Sequence, residues 1–173
     1  RPGLFSISAF SPTLRRTSGH LPSTGWLKTR SAGRGTISWP SPQVTVQSDI
    51  HCVTGWSRYD NTWTGVHVAH LLDLCRPEKE AMHCLIYAFD GYTTNIRLDR
   101  LADSDVLLAH SWEGEYLTKE HGGPVRAVVP KWYFWKSAKW IRRIEFIAED
   151  ETGFWEDRGY HNEGDPWKEQ RYG

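Results

Sequence analysis

Apolar and polar positions alternate along Gln43-Val44-Thr45-Val46-Gln47-Ser48-Asp49-Ile50, the period of a half-buried strand. The strand leads into His51-Cys52-Val53, and Gly55 breaks it. Between Val66 and Leu74 the apolar positions are 66, 68, 69, 71, 72 and 74, which predicts a short helix stopped by Pro77. Ala81 to Phe89 is a near-continuous apolar run, as a buried strand requires. Asp90-Gly91 signals a turn, after which the β-prone Tyr92-Thr93-Thr94-Asn95-Ile96 can pair back. Leu98 to Ala102 reads as one helical turn, and 106–112, 125–129 and 143–147 read as strands. The result is an α+β pattern of mixed sheets with few, short helices, without a regular βαβ order or an internal repeat.

Ahead of this region the pattern fails. Residues 1–48 show no sustained period, are rich in Ser, Thr, Gly and Pro, and contain no Asp or Glu. Their six basic residues give +6, against −6 for the remainder, so the neutral total of 21 basic and 21 acidic residues hides an asymmetry. We therefore divide the chain into an atypical basic segment, 1–42, and a folded domain, 43–173. A targeting peptide, a nucleic-acid arm and an altered start of the domain are all compatible with that composition. The 173-residue length suits one domain, and 10 Trp, 7 Tyr and 6 Phe supply apolar surface. No run of about 18 apolar residues exists, so no membrane-spanning helix is expected. Three cysteines without a C-x-x-C argue against a disulfide framework or a zinc ribbon.

Four stretches carry candidate chemistry. In Asp49 to Arg58 a cysteine, Cys52, sits where a strand meets a glycine-containing loop; a thiolate there is a soft metal ligand or a nucleophile, and a buried structural thiol is the plain alternative. His51 and Cys52, as strand neighbours, point to opposite faces and so do not readily share one metal. His121-Gly122-Gly123-Pro124-Val125-Arg126 lets backbone approach a ligand, or is an ordinary loop. From His121 to Ile144 there is no acid but six basic residues interleaved with aromatics, which suits a phosphate beside a stacking ring, a single nucleic-acid strand, or Trp packed inward with Lys outward. Asp90 to Asn95 is a turn rich in hydrogen-bonding side chains.

In order, the stretches DIHCVTGWSRYDNTW, DGYTTN, VLLAHSWEGEYLTKEHGGPVRAVVPKWYFWKSAKWIRRIEF and GFWEDRGYHNEGDPW resemble the molybdopterin-binding domain of the sulfite oxidase superfamily, over about residues 43–173. The resemblance is greatest to stand-alone prokaryotic sulfite oxidase-like oxidoreductases. It implies the sulfite oxidase-type fold and one molybdenum held by molybdopterin, with Cys52 as the protein ligand to the metal. It places His121, Arg126, Lys136, Ser137, Lys139 and Trp140 at the pterin and its phosphate, with Tyr92, Thr93 and Asn95 near the cofactor. Arg58 falls near a cationic substrate contact, so Cys52 and Arg58 are the expected catalytic pair. Cys75 and Cys84 have no motif around them and are expected in the core.

The implied activity is oxygen-atom transfer at sulfur, as sulfite oxidation or sulfoxide reduction. It takes a small oxyanion or sulfoxide substrate and a separate electron-transfer partner, a cytochrome or similar, since no C-x-x-C-H haem motif occurs. No nucleic acid is implied. Unpaired cysteines without an export signal suggest a cytoplasmic location, with a periplasmic one as the alternative. Residues 1–42 depart from the family pattern; Trp26 to Trp39 resembles a shortened remnant of it, and His20 is a candidate stand-in contact. That departure leaves open a degenerate homologue that holds molybdopterin weakly or not at all. A cysteine-nucleophile enzyme, with Cys52 activated by His121, is a further alternative.

Overall fold

A computed structural model describes residues 42–173 and, ahead of them, two two-residue strands, β1 (Ile7–Ser8) and β2 (Thr36–Ile37), which pair antiparallel. His20 and most of the Trp26–Trp39 stretch lie outside the described residues.

Two further sheets build the domain. The five-stranded one has the order β3 (Val44–His51), β4 (Ser57–His67), β7 (Leu107–Trp112), β8 (Glu115–Tyr116), with β9 (Arg126–Val128) also pairing to β7. The three-stranded one places β5 (His83–Ala88) between β10 (Ile141–Ile147) and β6 (Thr93–Arg97). All the pairings are antiparallel. Helices are short: α1 (Val68–Cys75) and α2 (Leu98–Leu101). This is the mixed-sheet α+β architecture that the hydrophobic pattern implies.

The longest strand with no counterpart in the sequence reading is β4. Its outer half, Ser57 to Asp60, is exposed and polar, and burial alternates only from Asn61 through Trp63 to Gly65. Asn61 and Gly65 are not residues that announce a buried strand face. Gly65 is required by packing: a Cβ there would lie 2.1 Å from the Leu108 carbonyl oxygen, at the bulge where β4 shifts register against β7. Helix α1 consequently starts at Val68, two residues later than the apolar spacing suggests. It ends at Arg76, in the left-handed conformation, just ahead of Pro77.

The five-stranded sheet is covered on both faces. Along β7, Leu108 joins the larger core with α1, β5 and β10, including Val66, Leu71, Ile86, Ile144 and Phe146. Its neighbours Leu107 and Ala109 face the opposite way, into a smaller core with Ile50, Trp63 and Val128. The second face explains why the loop after β9 must fold back: Phe134 closes the smaller core. The turn Asp90-Gly91, with Gly91 at φ +91°, joins β5 to β6 as the sequence indicates.

Candidate cofactor-binding cleft

The loop 117–126 and the segment 134–140 fold against each other beside β9. Ala127 donates its N–H to the Ala138 carbonyl at 2.8 Å, and Trp140 donates its own to Gly122 at 3.3 Å. Gly122, at φ +102°, leaves no room for a side chain: a Cβ would meet Lys139 Cγ at 2.9 Å and Arg126 Cβ at 3.1 Å. A cleft of about 360 Å³ opens between these segments. His121, Arg126, Ser137, Lys139, Trp140 and Tyr92 line it, so six of the residues named from sequence converge there.

Arg126 dominates its electrostatics. The side chain is 4% exposed, on a strand buried along its whole length. Its guanidinium donates to the carbonyls of Ala127 (3.3 Å), His121 (3.0 Å) and Ser137 (3.0 Å), and sits over the Phe134 ring at 4.4 Å and the Trp63 ring at 5.3 Å. No carboxylate among the described residues pairs with it. Burial lowers its pKa to about 10, which still leaves a cation at neutral pH. Lys139 adds a second positive charge; burial and the Arg126 charge push its pKa down. Its ammonium donates to the Glu120 carbonyl at 2.9 Å and lies over the Trp140 ring. Buried cations are normally paired. Arg126 is buried without an ion-pair partner, held by carbonyl dipoles, and the partly exposed Lys139 stands beside it, so this end of the cleft carries positive charge.

The other walls are aromatic. Trp56, Phe134, Trp135 and Trp155 form them, with Asp90, Glu120 and Ala138 also at the lining, and Tyr92 donates its hydroxyl to the Trp135 carbonyl at 2.6 Å. Burial, and then Glu156, push the Tyr92 pKa upward, so the phenol stays protonated. Ser137 faces the cleft while its hydroxyl oxygen accepts the Val129 N–H at 2.9 Å.

Cys52, Arg58, Thr93, Asn95 and Lys136, also named from sequence, do not line this cleft. Lys136 is 1% exposed and is ion-paired with Glu156 at 2.5 Å. It also donates to the Asn95 carbonyl (3.0 Å) and to Asn95 Oδ1 (2.8 Å). Burial lowers its pKa, with Glu156 opposing. Asn95 in turn donates to Asp150 and Asn162. Both Lys136 and Asn95 border a separate, smaller cavity of about 210 Å³. Thr93, a partly buried β6 residue, accepts the Phe154 N–H through its carbonyl at 2.9 Å. Glu156 escaped sequence reasoning, although an acid set among Phe154, Trp155 and Tyr160 is a legible sign of a buried polar anchor.

Cys52 occupies the turn between β3 and β4. Its N–H donates to the Trp56 carbonyl at 2.8 Å, and Gly55, at φ +97°, donates back to the Cys52 carbonyl at 2.9 Å. The turn carries Trp56 into the cleft wall and leaves the Cys52 thiol half-buried, 3.1 Å from Thr54 Oγ1. His51 points away to Ser57 Oγ (2.8 Å), as strand alternation requires. His121 packs on Trp112 (5.0 Å), so the thiol's recorded partner is a hydroxyl and not an imidazole base. Arg58 lies over the same Trp112 ring at 4.5 Å, bonds Asn61 and reaches Glu113 at 3.4 Å with 44% of its side chain exposed. Cys84 is fully buried, with its pKa pushed up to about 12, and Cys75 is half-buried. Among the described residues no group of three His, Cys, Asp or Glu gathers to hold a metal ion, and no helix is long and apolar enough to cross a membrane.

Residues 37–155 match the family model described as the oxidoreductase molybdopterin binding domain. The chain is 49% identical over 131 residues to the uncharacterized oxidoreductase YuiH of Bacillus subtilis, covering 76% of this chain and 66% of that one. It is 39% identical over 71 residues to a sulfite oxidase of Arabidopsis thaliana, covering 40% of this chain and 18% of the plant enzyme. It thus spans just under two thirds of the bacterial relative and less than a fifth of the plant one. Among solved structures, the sulfane dehydrogenase SoxCD of Paracoccus pantotrophus shares the fold, with a TM-score of 0.59 and 22% identity over 66% of this chain and 35% of that one.

Proposed function

The chain belongs to the oxidoreductase molybdopterin-binding domain family, and from that premise we propose that it is a molybdenum enzyme acting at sulfur, by oxidation of a sulfite-like oxyanion or reduction of a sulfoxide. The observation that carries the reading is the buried, carboxylate-free guanidinium of Arg126 at the head of an aromatic cleft. A pterin fits those residues. Its phosphate is the anion that Arg126 and Lys139 lack, and its ring system suits a wall of Trp and Tyr. His121, Ser137, Trp140 and Tyr92 supply further polar edges, and Cys52 supplies the thiolate. The chemistry that the cofactor supplies when bound is oxygen-atom transfer with a two-electron change at the metal.

This chain's own part is binding, orientation and charge. Arg126 and Lys139 fix the anionic end. Trp56 ties the Cys52 turn to the cleft, because its carbonyl holds the Cys52 N–H while its ring forms the wall. Arg58 is proposed as the cation that receives the substrate oxyanion. Its ion pair with Glu113 is exposed and therefore weak, and its Trp112 platform also carries His121 of the cleft. Lys136 acts from behind, through Glu156 and Asn95, and holds the wall in place. A separate redox protein takes up the two electrons that sulfite oxidation releases, or supplies the two that sulfoxide reduction consumes.

Molybdenum content decides the proposal. The full chain is expressed in a molybdopterin-producing host and the metal is quantified beside Cys52→Ser. Near one molybdenum per chain is expected in the wild type, with loss in the variant and turnover of sulfite or a sulfoxide exceeding that of nitrate. A folded wild type without molybdenum overturns the reading.

A further inference from the structure

The matched family region stops at residue 155, and the chain beyond it is built into the site. Residues 156–173 carry little regular structure, two three-residue 3-10 turns and one antiparallel bridge between Tyr160 and Tyr172, yet they lie against the Cys52 turn and the aromatic wall together. At one end, Glu156 accepts from Trp135 Nε1 at 3.0 Å. In the middle, the Gly164 carbonyl accepts the Tyr133 N–H at 2.7 Å, and Trp135 lies so close that a Cβ on Gly164 would meet its ring at 2.6 Å. Near the C-terminus, Trp167 packs edge-on against His51 at 5.1 Å, and the Arg171 guanidinium donates to the carbonyl of Val53. Arg171 is seated for this: it lies over the Tyr133 ring at 5.3 Å, and its own carbonyl accepts from His161 at 3.2 Å.

We propose that this terminal segment is a strap and that Arg171 is a positioning residue for Cys52. Val53 is the residue after the cysteine. Its carbonyl lies inside the four-residue turn that the Cys52 and Gly55 backbone bonds close. A charged donor there fixes the Val53–Thr54 peptide, one peptide beyond Cys52, and so steadies the turn that carries the thiol. Trp167, itself largely exposed, lies edge-on against the other neighbour, His51. The turn is therefore bonded at Val53 and packed at His51 by residues over a hundred positions away, while the same segment anchors Trp135 of the cleft wall. The strap sets the spacing between the thiol and the cleft. Its significance rests on Cys52 being the metal ligand, but the clamping itself can be measured on the cofactor-free chain.

The test is peptide-resolved alkylation of the cofactor-free full-length protein by iodoacetamide, followed over time by mass spectrometry. In Arg171→Ala, Cys52 is expected to react about tenfold faster than in the wild type, the factor that a charge-assisted hydrogen bond commands. Cys84 stays protected, and Arg171→Lys, which keeps a charged donor, restores most of the slow rate. In the molybdenum-loaded protein, Arg171→Ala is expected to shift or broaden the thiolate-to-metal absorption band at equal metal content. An unchanged Cys52 rate in Arg171→Ala overturns the proposal. So does a parallel rise at Cys84, which makes residue 171 a support of the whole fold and not of the turn. A wild type that takes up no molybdenum, with Cys52 still clamped in this assay, refutes the proposed function and leaves the strap standing.

Discussion

Replacing Arg126 with methionine separates an anion site from a structural cation. The folded protein holds this guanidinium at a pKa of about 10, against an ordinary 12.5. At about 1.4 kcal/mol per unit, the lowering corresponds to a cost on the order of 3 kcal/mol for keeping the charge buried. Its sign follows from linkage: the unfolded chain binds this proton more tightly, so the cost is fully present at pH 7 and is relieved only as pH rises from about 10 toward 12.5. Methionine removes the cost and fills much of the same volume. It also removes donors to three carbonyls, roughly 1 kcal/mol each, and the contacts over Phe134 and Trp63, about 1 kcal/mol. The opposing contributions nearly cancel. Urea unfolding of the cofactor-free variant, followed by tryptophan fluorescence, is expected within about 2 kcal/mol of the wild type. Cofactor retention, in contrast, loses a charge-assisted contact and is expected to fall at least about a hundredfold, read as molybdenum per folded chain. A structural salt bridge broken from one side would instead cost about 3–5 kcal/mol. A loss of that size, with normal molybdenum in whatever folds, would refute the anion-site argument.

Three further outcomes are expected. Lys136→Met leaves Glu156 charged and buried, and should cost about 3–5 kcal/mol in urea unfolding; the double variant Lys136→Met, Glu156→Leu should recover part of that loss. Gly122→Ala forces a Cβ against Lys139 at a positive φ, and should lower stability by about 1–2 kcal/mol and reduce molybdenum retention, measured by thermal melting and metal analysis. Cys84, buried with its thiol pKa at about 12, should resist alkylation at pH 8 until the protein is unfolded, because protonation and burial both withhold the thiolate.

Much of this arrangement was legible from the chain because it is local. The glycine pair of the His121–Arg126 loop, the acid-free run after it and the Asp90-Gly91 turn each state their geometry within a few residues. The strand β4 was not legible, since its buried face begins with Asn61 and includes a glycine whose reason is the Leu108 carbonyl, more than forty residues away. The role of Arg171 was hidden in the same way: its carbonyl partner at Val53 is set by tertiary placement alone.

Lys136 and Lys139 show where the limit falls. They are three residues apart in one basic, aromatic run, which the family resemblance makes an anion site. The fold sends them to different environments. Lys139 reaches the cleft beside Arg126, whereas Lys136 turns inward to a carboxylate that arrives twenty residues later on the Glu156 turn. Nothing within the run distinguishes the two, because both are flexible cations with aromatic neighbours. The difference is set by whether an acid waits at the end of the side chain. A buried lysine with its acid supports the wall, and a cation at the cleft without an ion-pair partner is available to a ligand. The count of basic residues therefore leaves the cations alike, and only the position of the acids separates them.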